Sequence, residues 1–154
     1  MNRAARAIIL FISQGAYAGK FPVAPGTAGT VVGVFIYLGM KGLPPVHYVA
    51  VCILVFLVGT WAAGHAETIL GRTDSPSIVI DEIAGFLTAM FMVPSGLFFI
   101  VSGFVIFRVF DITKPWPLKR LQELHGGPGV MLDDVGAGIY TNVLLQLAAA
   151  LISR

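Results

Sequence analysis

Five apolar runs constrain the fold of this chain more than any other feature. Gly/Pro-rich or charged segments separate the runs, which cover residues 31–40, 46–64, 78–94, 97–110 and 135–152. A helix needs about 20 apolar residues to cross a bilayer, and an open sheet cannot stand in lipid. The second and last runs approach that length, whereas the first is short, and so are the third and fourth unless they include their polar ends. We therefore predict an all-α fold, a polytopic membrane helix bundle with about five hydrophobic helices, forming one domain over residues 1–154.

The composition places this bundle in a lipid bilayer rather than in water. Hydrophobic residues make up 56% of the chain and charged residues 12%, with a mean hydropathy of +0.86. This apolar share exceeds that of an ordinary soluble domain. The formal net charge of +2 excludes the basic surface of a nucleic-acid-binding protein. Near the N-terminus, Arg3 and Arg6 precede Ile8, Ile9 and Phe11, a pattern that favours a short interfacial helix.

Three acidic loci stand at the ends of the apolar runs. They are Asp81-Glu82, Asp111 and Asp133-Asp134. A carboxylate beside hydrocarbon is costly, so these placements require a reason. If each run crosses the bilayer once, all three loci reach the same membrane face, which predicts one composite site.

Carboxylates from several loci suit a hard divalent cation such as Mg²⁺, which prefers oxygen ligands. Nearby cations supply groups that bind phosphate, namely Arg108, Lys114, Lys119 and Arg120. Together these residue types predict phosphoryl chemistry at a membrane surface. Three alternatives stay open: acids that only cap helices, a small cation transporter or channel, and a structural subunit of a lipid-synthesis complex. Acids on a single face count against a channel.

A Gly-rich segment, residues 25–30, precedes the first apolar run on the same face. Backbone N–H groups at a helix N-terminus bind phosphate, so Gly26, Thr27 and Thr30 are candidate phosphate-binding residues. The alternative is a helix cap made by threonine. His125 is a weaker candidate for contact with the substrate.

Charge bias predicts which way the site faces. The cations concentrate at the acidic face, where they are Lys20, Arg72, Arg108, Lys114, Lys119 and Arg120, whereas only Lys41 and Arg154 fall at the other. The positive-inside rule then places the acidic face in the cytoplasm.

Several of these motifs resemble one known family. They are residues 25–30 (PGTAGT), 79–85 (VIDEIAG), 103–111 (GFVIFRVFD), 114–117 (KPWP) and 125–138 (HGGPGVMLDDVGAG). In this order they resemble the phosphatidylglycerophosphatase A family. The resemblance implies Mg²⁺-dependent removal of the terminal phosphate from phosphatidylglycerol phosphate, in a multi-pass protein of the bacterial inner membrane. An oligomer is compatible with it.

Site roles are expected on this basis. Five carboxylates are expected to serve catalysis: Asp81, Glu82, Asp111, Asp133 and Asp134. Four of them are expected to hold Mg²⁺, namely Asp81, Glu82, Asp111 and Asp134, while Glu82 and Asp133 are also candidate bases. The substrate phosphate is expected to meet Gly26, Thr27, Thr30, Arg108 and Lys114. The residue types allow either water or a carboxylate as the nucleophile.

Overall fold

A computed structural model describes residues 1–73, 75–122, 124 and 126–152. Within these residues the fold is all-helical, as predicted, and contains no strand. The helices are α1 (Arg3–Ser13), α2 (Pro25–Met40), α3 (Pro45–Leu70), α4 (Ile80–Ala89), α5 (Leu97–Thr113), α6 (Leu118–Gln122) and α7 (Gly127–Ile152). A short 3-10 turn, Ala18–Lys20, lies between α1 and α2.

The centre of the bundle is the crossing of α4 and α7. Two glycines let their backbones approach: a Cβ at Gly85 would lie 2.6 Å from the Asp134 carbonyl oxygen, and one at Gly138 would overlap the Gly85 carbonyl. Small residues at a helix interface permit this closeness. Around the crossing, α2, α3 and α5 pack their apolar faces, with Phe86 and Phe107 fully buried. The crossing therefore fixes the depth and rotation of α4 against α7.

The short helix α4 ends inside the bundle, where three polar side chains bind carbonyls in its last turn or just beyond it. The Tyr48 hydroxyl donates to Leu87 O at 2.7 Å. The Asn142 amide donates to Ala89 O at 2.9 Å and to Phe91 O at 2.7 Å, and Gln146 Nε2 donates to Phe91 O at 3.2 Å. The last carbonyls of a helix have no partner within the helix, and leaving them bare in an apolar region is costly. Side chains of α3 and α7 therefore stabilise the end of α4.

The predicted runs correspond to α2, α3, α4, α5 and α7, but several boundaries were wrong. Residues 78–94 were expected to form one helix, yet α4 ends at Ala89. The Gly-rich segment was expected to precede its helix, but it forms the first turns of α2. The pair Asp133-Asp134 was expected to lead into the last helix. It lies about two turns inside α7, because that helix begins at Gly127. Capping therefore does not explain this pair.

Two helices in the described part of the chain, α3 and α7, are long and apolar enough to cross a membrane. Helix α2 is also apolar but is shorter than these two. The count of five spans stays a prediction. Large apolar side chains cover the outside of the bundle, among them Phe35, Leu54, Leu57, Phe98 and Leu147. An exposed apolar surface of this extent is typical of a protein that contacts a membrane or a protein partner.

The expected N-terminal helix is present as α1. The Asn2 side chain caps it by accepting a hydrogen bond from the Ala5 N–H at 2.8 Å. Ile9 and Ser13 face the protein, whereas Ile8 and Phe11 are exposed. This two-sided pattern fits a helix at an interface, and its position in a membrane stays a prediction.

We expect the substitution Asn142→Leu to destabilise the bundle, because it leaves the Ala89 and Phe91 carbonyls with fewer donors. The loss should be about 1–2 kcal/mol in the free energy of unfolding in detergent. The neighbouring Val143→Leu, on an exposed position of the same helix, should be close to neutral. Equal stability of the two variants would show that the α4 terminus does not depend on Asn142.

Candidate active site

Three carboxylates meet at the crossing of α4 and α7. Asp81 and Glu82 lie in the first turn of α4, as the sequence predicted. Asp134 projects from α7, and the side chain is only 2% exposed. One carboxylate oxygen from each of the three lies within 4.8 Å of the others. The Gly85–Gly138 approach is what permits this distance, since it brings the two helix backbones together one turn from the acids.

The oxygens of this triad fit a divalent cation. Asp81 Oδ1, Glu82 Oε2 and Asp134 Oδ2 are buried and have no hydrogen-bond partner among the residues that the structure describes. Buried polar atoms are normally satisfied, and unpaired buried charge is costly. Oxygen atoms at several positions of one small cluster are the donors that Mg²⁺ prefers. The triad is therefore a candidate metal centre.

Two cations stand beside the triad. Arg108 on α5 places Nη1 2.6 Å from Asp111 Oδ2 and 3.6 Å from Glu82 Oε1. Lys114, which follows the end of α5, forms an ion pair with Asp133. Its Nζ also lies 3.8 Å from Asp111 Oδ1 and 3.8 Å from Asp134 Oδ1. The cluster thus contains five carboxylates and only two cations, which leaves excess negative charge for a further cation.

The ammonium of Lys114 is held in its charged form. Burial disfavours that form, but the carboxylates of Asp134, Asp133 and Asp111 outweigh burial, so the pKa of Lys114 is raised above its usual value. Asp133 is anchored on both sides, because it also accepts a hydrogen bond at Oδ1 from the Asp134 N–H at 3.0 Å. Asp133 therefore positions Lys114 at the edge of the cluster.

The first turn of α2 closes the site on another side. A Cβ at Gly26 would lie 2.9 Å from Arg108 Nη1 and would overlap Glu82 Oε1, so a side chain here would displace the ends of these two groups. Thr30 is buried and donates its hydroxyl proton to Gly26 O at 2.9 Å. Thr27 is half-buried and lines a separate cavity on the outer side of α2. Of the three candidate phosphate-binding residues on α2, Gly26 is the one placed against the charged cluster, beside Glu82 and Arg108.

The three acidic loci and two of the four predicted cations, Arg108 and Lys114, thus occupy one end of the bundle. Asp111 belongs to this cluster but lies against Arg108 rather than in the compact triad. The metal, catalytic and phosphate-binding roles stay predictions. His125 lies outside the described residues. Sequence reasoning missed Gly85 and Gly138, although the small-residue runs 84–85 and 136–138 beside the acids were a usable signal for a close helix crossing.

Comparison with known proteins agrees with the resemblance seen in the motifs. The family profile of phosphatidylglycerophosphatase A matches residues 11–149. Phosphatidylglycerophosphatase A of Escherichia coli K12 is 32% identical over 136 residues, covering 87% of this chain and 79% of the relative. The Haemophilus influenzae protein of the same name is 35% identical over 143 residues, covering 89% and 86%.

A third relative has a different name. A Bacteroides thetaiotaomicron protein, provisionally named as a phosphatidylinositol-3-phosphatase, is 33% identical over 147 residues, covering 90% of this chain and 92% of the relative. No solved structure matches the chain. The names of all three relatives denote phosphatases of phosphorylated lipids, which rules against the channel and structural-subunit alternatives. The chain therefore belongs to the phosphatidylglycerophosphatase A family of lipid phosphatases.

Proposed function

We propose that this protein hydrolyses the terminal phosphomonoester of phosphatidylglycerol phosphate in a Mg²⁺-dependent reaction at the cytoplasmic face of a bacterial inner membrane. One observation carries the proposal: three carboxylates, each with one buried oxygen that has no hydrogen-bond partner among the described residues, lie beside Arg108 and Lys114. Carboxylates for a metal and cations for a phosphate are the two requirements of this chemistry. The names of two relatives support phosphatidylglycerol phosphate as the substrate.

Asp81, Glu82 and Asp134 are the residues that would hold the metal, with Asp111 as a further predicted ligand. A bound Mg²⁺ would offset the charge of the phosphate and polarise a water molecule. Placement of α4 supports this assignment, because its first turn carries two of the acids to the crossing with α7. Adjacent residues on a helix point about 100° apart. Glu82 therefore also faces Gly26 and Arg108, and this carboxylate is the candidate base.

Arg108 and Lys114 would bind the phosphate. Arg108 Nε is buried and has no hydrogen-bond partner in the described part of the chain. A guanidinium with a free donor edge suits a phosphate oxygen, to which arginine donates in a planar, two-pronged geometry. Lys114 adds a second positive charge next to Asp133. The missing side chain of Gly26 leaves room for Arg108 Nη1 and Glu82 Oε1 beside the first turn of α2.

The apolar exterior supports a membrane setting. Only a minor part of the most apolar stretch of α3 or of α7 is buried within the protein. We propose that α2, α3, α4, α5 and α7 all lie within the bilayer and that α1 rests at its interface. Cations at the site end of the bundle support a cytoplasmic site. A lipid phosphate would then meet the acids at headgroup depth.

Removal of divalent metal should abolish the activity. Purified protein is incubated with phosphatidylglycerol phosphate, and inorganic phosphate release is measured with and without EDTA. We expect loss of release in EDTA and recovery with excess Mg²⁺, because the carboxylate triad alone repels a phosphate. Phosphatidylinositol 3-phosphate serves as the competing substrate and should be hydrolysed more slowly. Full activity in excess EDTA would refute the metal assignment.

Neutral replacements of the acids should separate metal binding from a structural role. Asp81→Asn, Asp111→Asn and Asp134→Asn each keep the side-chain size but remove a charge that a cation needs. We expect phosphate release to fall by about 10²-fold or more in each, as for removal of one key electrostatic group. The thermal stability of each variant should change little, because the substitution lowers the excess negative charge of the cluster.

The matched control is Glu67→Gln, since Glu67 lies on α3 outside the cluster. This variant should hydrolyse the lipid at the parent rate. Parent-like activity in the three Asn variants would mean that these acids serve the fold or the topology alone.

Cysteine labelling should establish which way the site faces. In a Cys52→Ser background, Leu124→Cys places a thiol near the start of α7, at the site end, and Leu124 is exposed. Gly42→Cys places a thiol at the opposite end, where a Cβ would meet no atom within 4 Å. An impermeant maleimide added to intact cells should label Cys at 42 but not at 124. The reverse pattern would put the site outside the cytoplasm.

A further inference from the structure

Two adjoining cavities lie between α3, α4 and α7, below the carboxylate triad. Their volumes are about 270 Å³ and about 260 Å³. Val49, Cys52 and Thr88 line both, so the two cavities form one groove, which we name the α3–α7 groove. Neither the candidate metal centre nor the phosphate-binding cations use it.

The groove continues directly from the site. Ala84 and Thr88, which line it on α4, follow Asp81 by three and seven residues. Residues at these spacings share one face of a helix. On α7 the lining begins at Leu132, beside the acids, and extends to Asn142. Ten residues of helix span about 15 Å, so the groove runs from the acids down along the bundle.

The chemistry of the lining selects an apolar occupant. Among the residues that line it, none is an acid, a lysine or an arginine. The amide of Asn142, at the far end, donates to the carbonyls of Ala89 and Phe91. Along the outer edge, Ile53 is 54% exposed and Ile139 is 51% exposed. The groove therefore opens sideways, toward the surface that the apolar exterior assigns to hydrocarbon.

We propose that the α3–α7 groove holds one acyl chain of the lipid phosphate while its phosphomonoester lies at the carboxylate triad. This proposal rests on the proposed function. The acyl chain would move from the hydrocarbon of the bilayer to the apolar groove, so its transfer gains little hydrophobic free energy. Its contribution is to orient the headgroup, because an anchored chain fixes the phosphate relative to Asp81 and Asp134.

Filling the groove tests the proposal. Cys52→Trp fills the segment that both cavities share, and Ile139→Trp narrows the lower part from α7. The control Leu54→Trp adds the same side chain to α3 at a position that is 60% exposed and outside the groove. Each variant is assayed on phosphatidylglycerol phosphate with sixteen-carbon chains (about 20 Å extended) and on a water-soluble analogue with four-carbon chains.

We expect kcat/KM for the long-chain lipid to fall at least about tenfold in both groove variants, since small misplacements of a reacting group cost this much or more. The rate on the short-chain analogue should change less than about threefold by the same argument, because a short chain does not reach the blocked segment. Leu54→Trp should match the parent on both substrates. Equal losses on both substrates would indicate a structural role and overturn the proposal.

Photo-crosslinking gives a readout independent of turnover. A phosphatidylglycerol phosphate with a diazirine in one chain should crosslink to residues of the groove, and unlabelled phosphatidylglycerol phosphate, but not phosphatidylcholine, should compete. Crosslinks confined to the larger cavity beside Lys20 and Val31 would place the chain there instead and overturn the proposal. If the parent protein hydrolyses neither lipid, the proposed function fails, while the crosslinking result still decides whether the groove binds a chain.

Discussion

The close approach of α4 and α7 is the constraint on which the rest of this structure depends. Two backbones meet where neither Gly85 nor Gly138 has a side chain, and Asp81, Glu82 and Asp134 come together as a result. Larger residues at either glycine would push the helices apart, and the oxygens would no longer share one centre. The positions of the charged groups therefore depend on two glycines, each one helical turn from an acid.

The short α4 is the second requirement. Its first turn must stand at the depth of the acids, and its last turn must end inside the bundle. An uncapped helix end in an apolar region would be unstable. Tyr48 and Asn142 bind carbonyls of its last turn, and Asn142 and Gln146 bind the carbonyl of Phe91 just beyond it. The polar residues that bind the end of α4 therefore also help to hold its first turn, which carries Asp81 and Glu82, in place.

Hydrophobic runs and acidic loci in the sequence were sufficient to predict helices and a shared acidic end. The placement of Asp81 and Glu82 in a first turn followed from the apolar run that starts beside them. The end of α4 could not be predicted, because residues 90–93 are as apolar as the helix and the stop comes from hydrogen bonds with distant helices. The start of α7 at Gly127 could not be predicted from the sequence either. There Gly127 and Gly129 pack against the carbonyls of Thr60 and Leu124, a contact that only the folded chain reveals.

The pairing of Arg108 and Lys114 with acids has a thermodynamic consequence. In this arrangement Arg108 forms an ion pair with Asp111, and Lys114 forms one with Asp133. If a metal ion binds the carboxylates as proposed, it weakens those pairs and leaves the two side chains more available to an anion. Metal and phosphate should then bind with positive cooperativity, and each should raise the affinity of the other by the same factor. If the proposed metal site is correct, the protein binds free phosphate weakly when divalent metal is scarce.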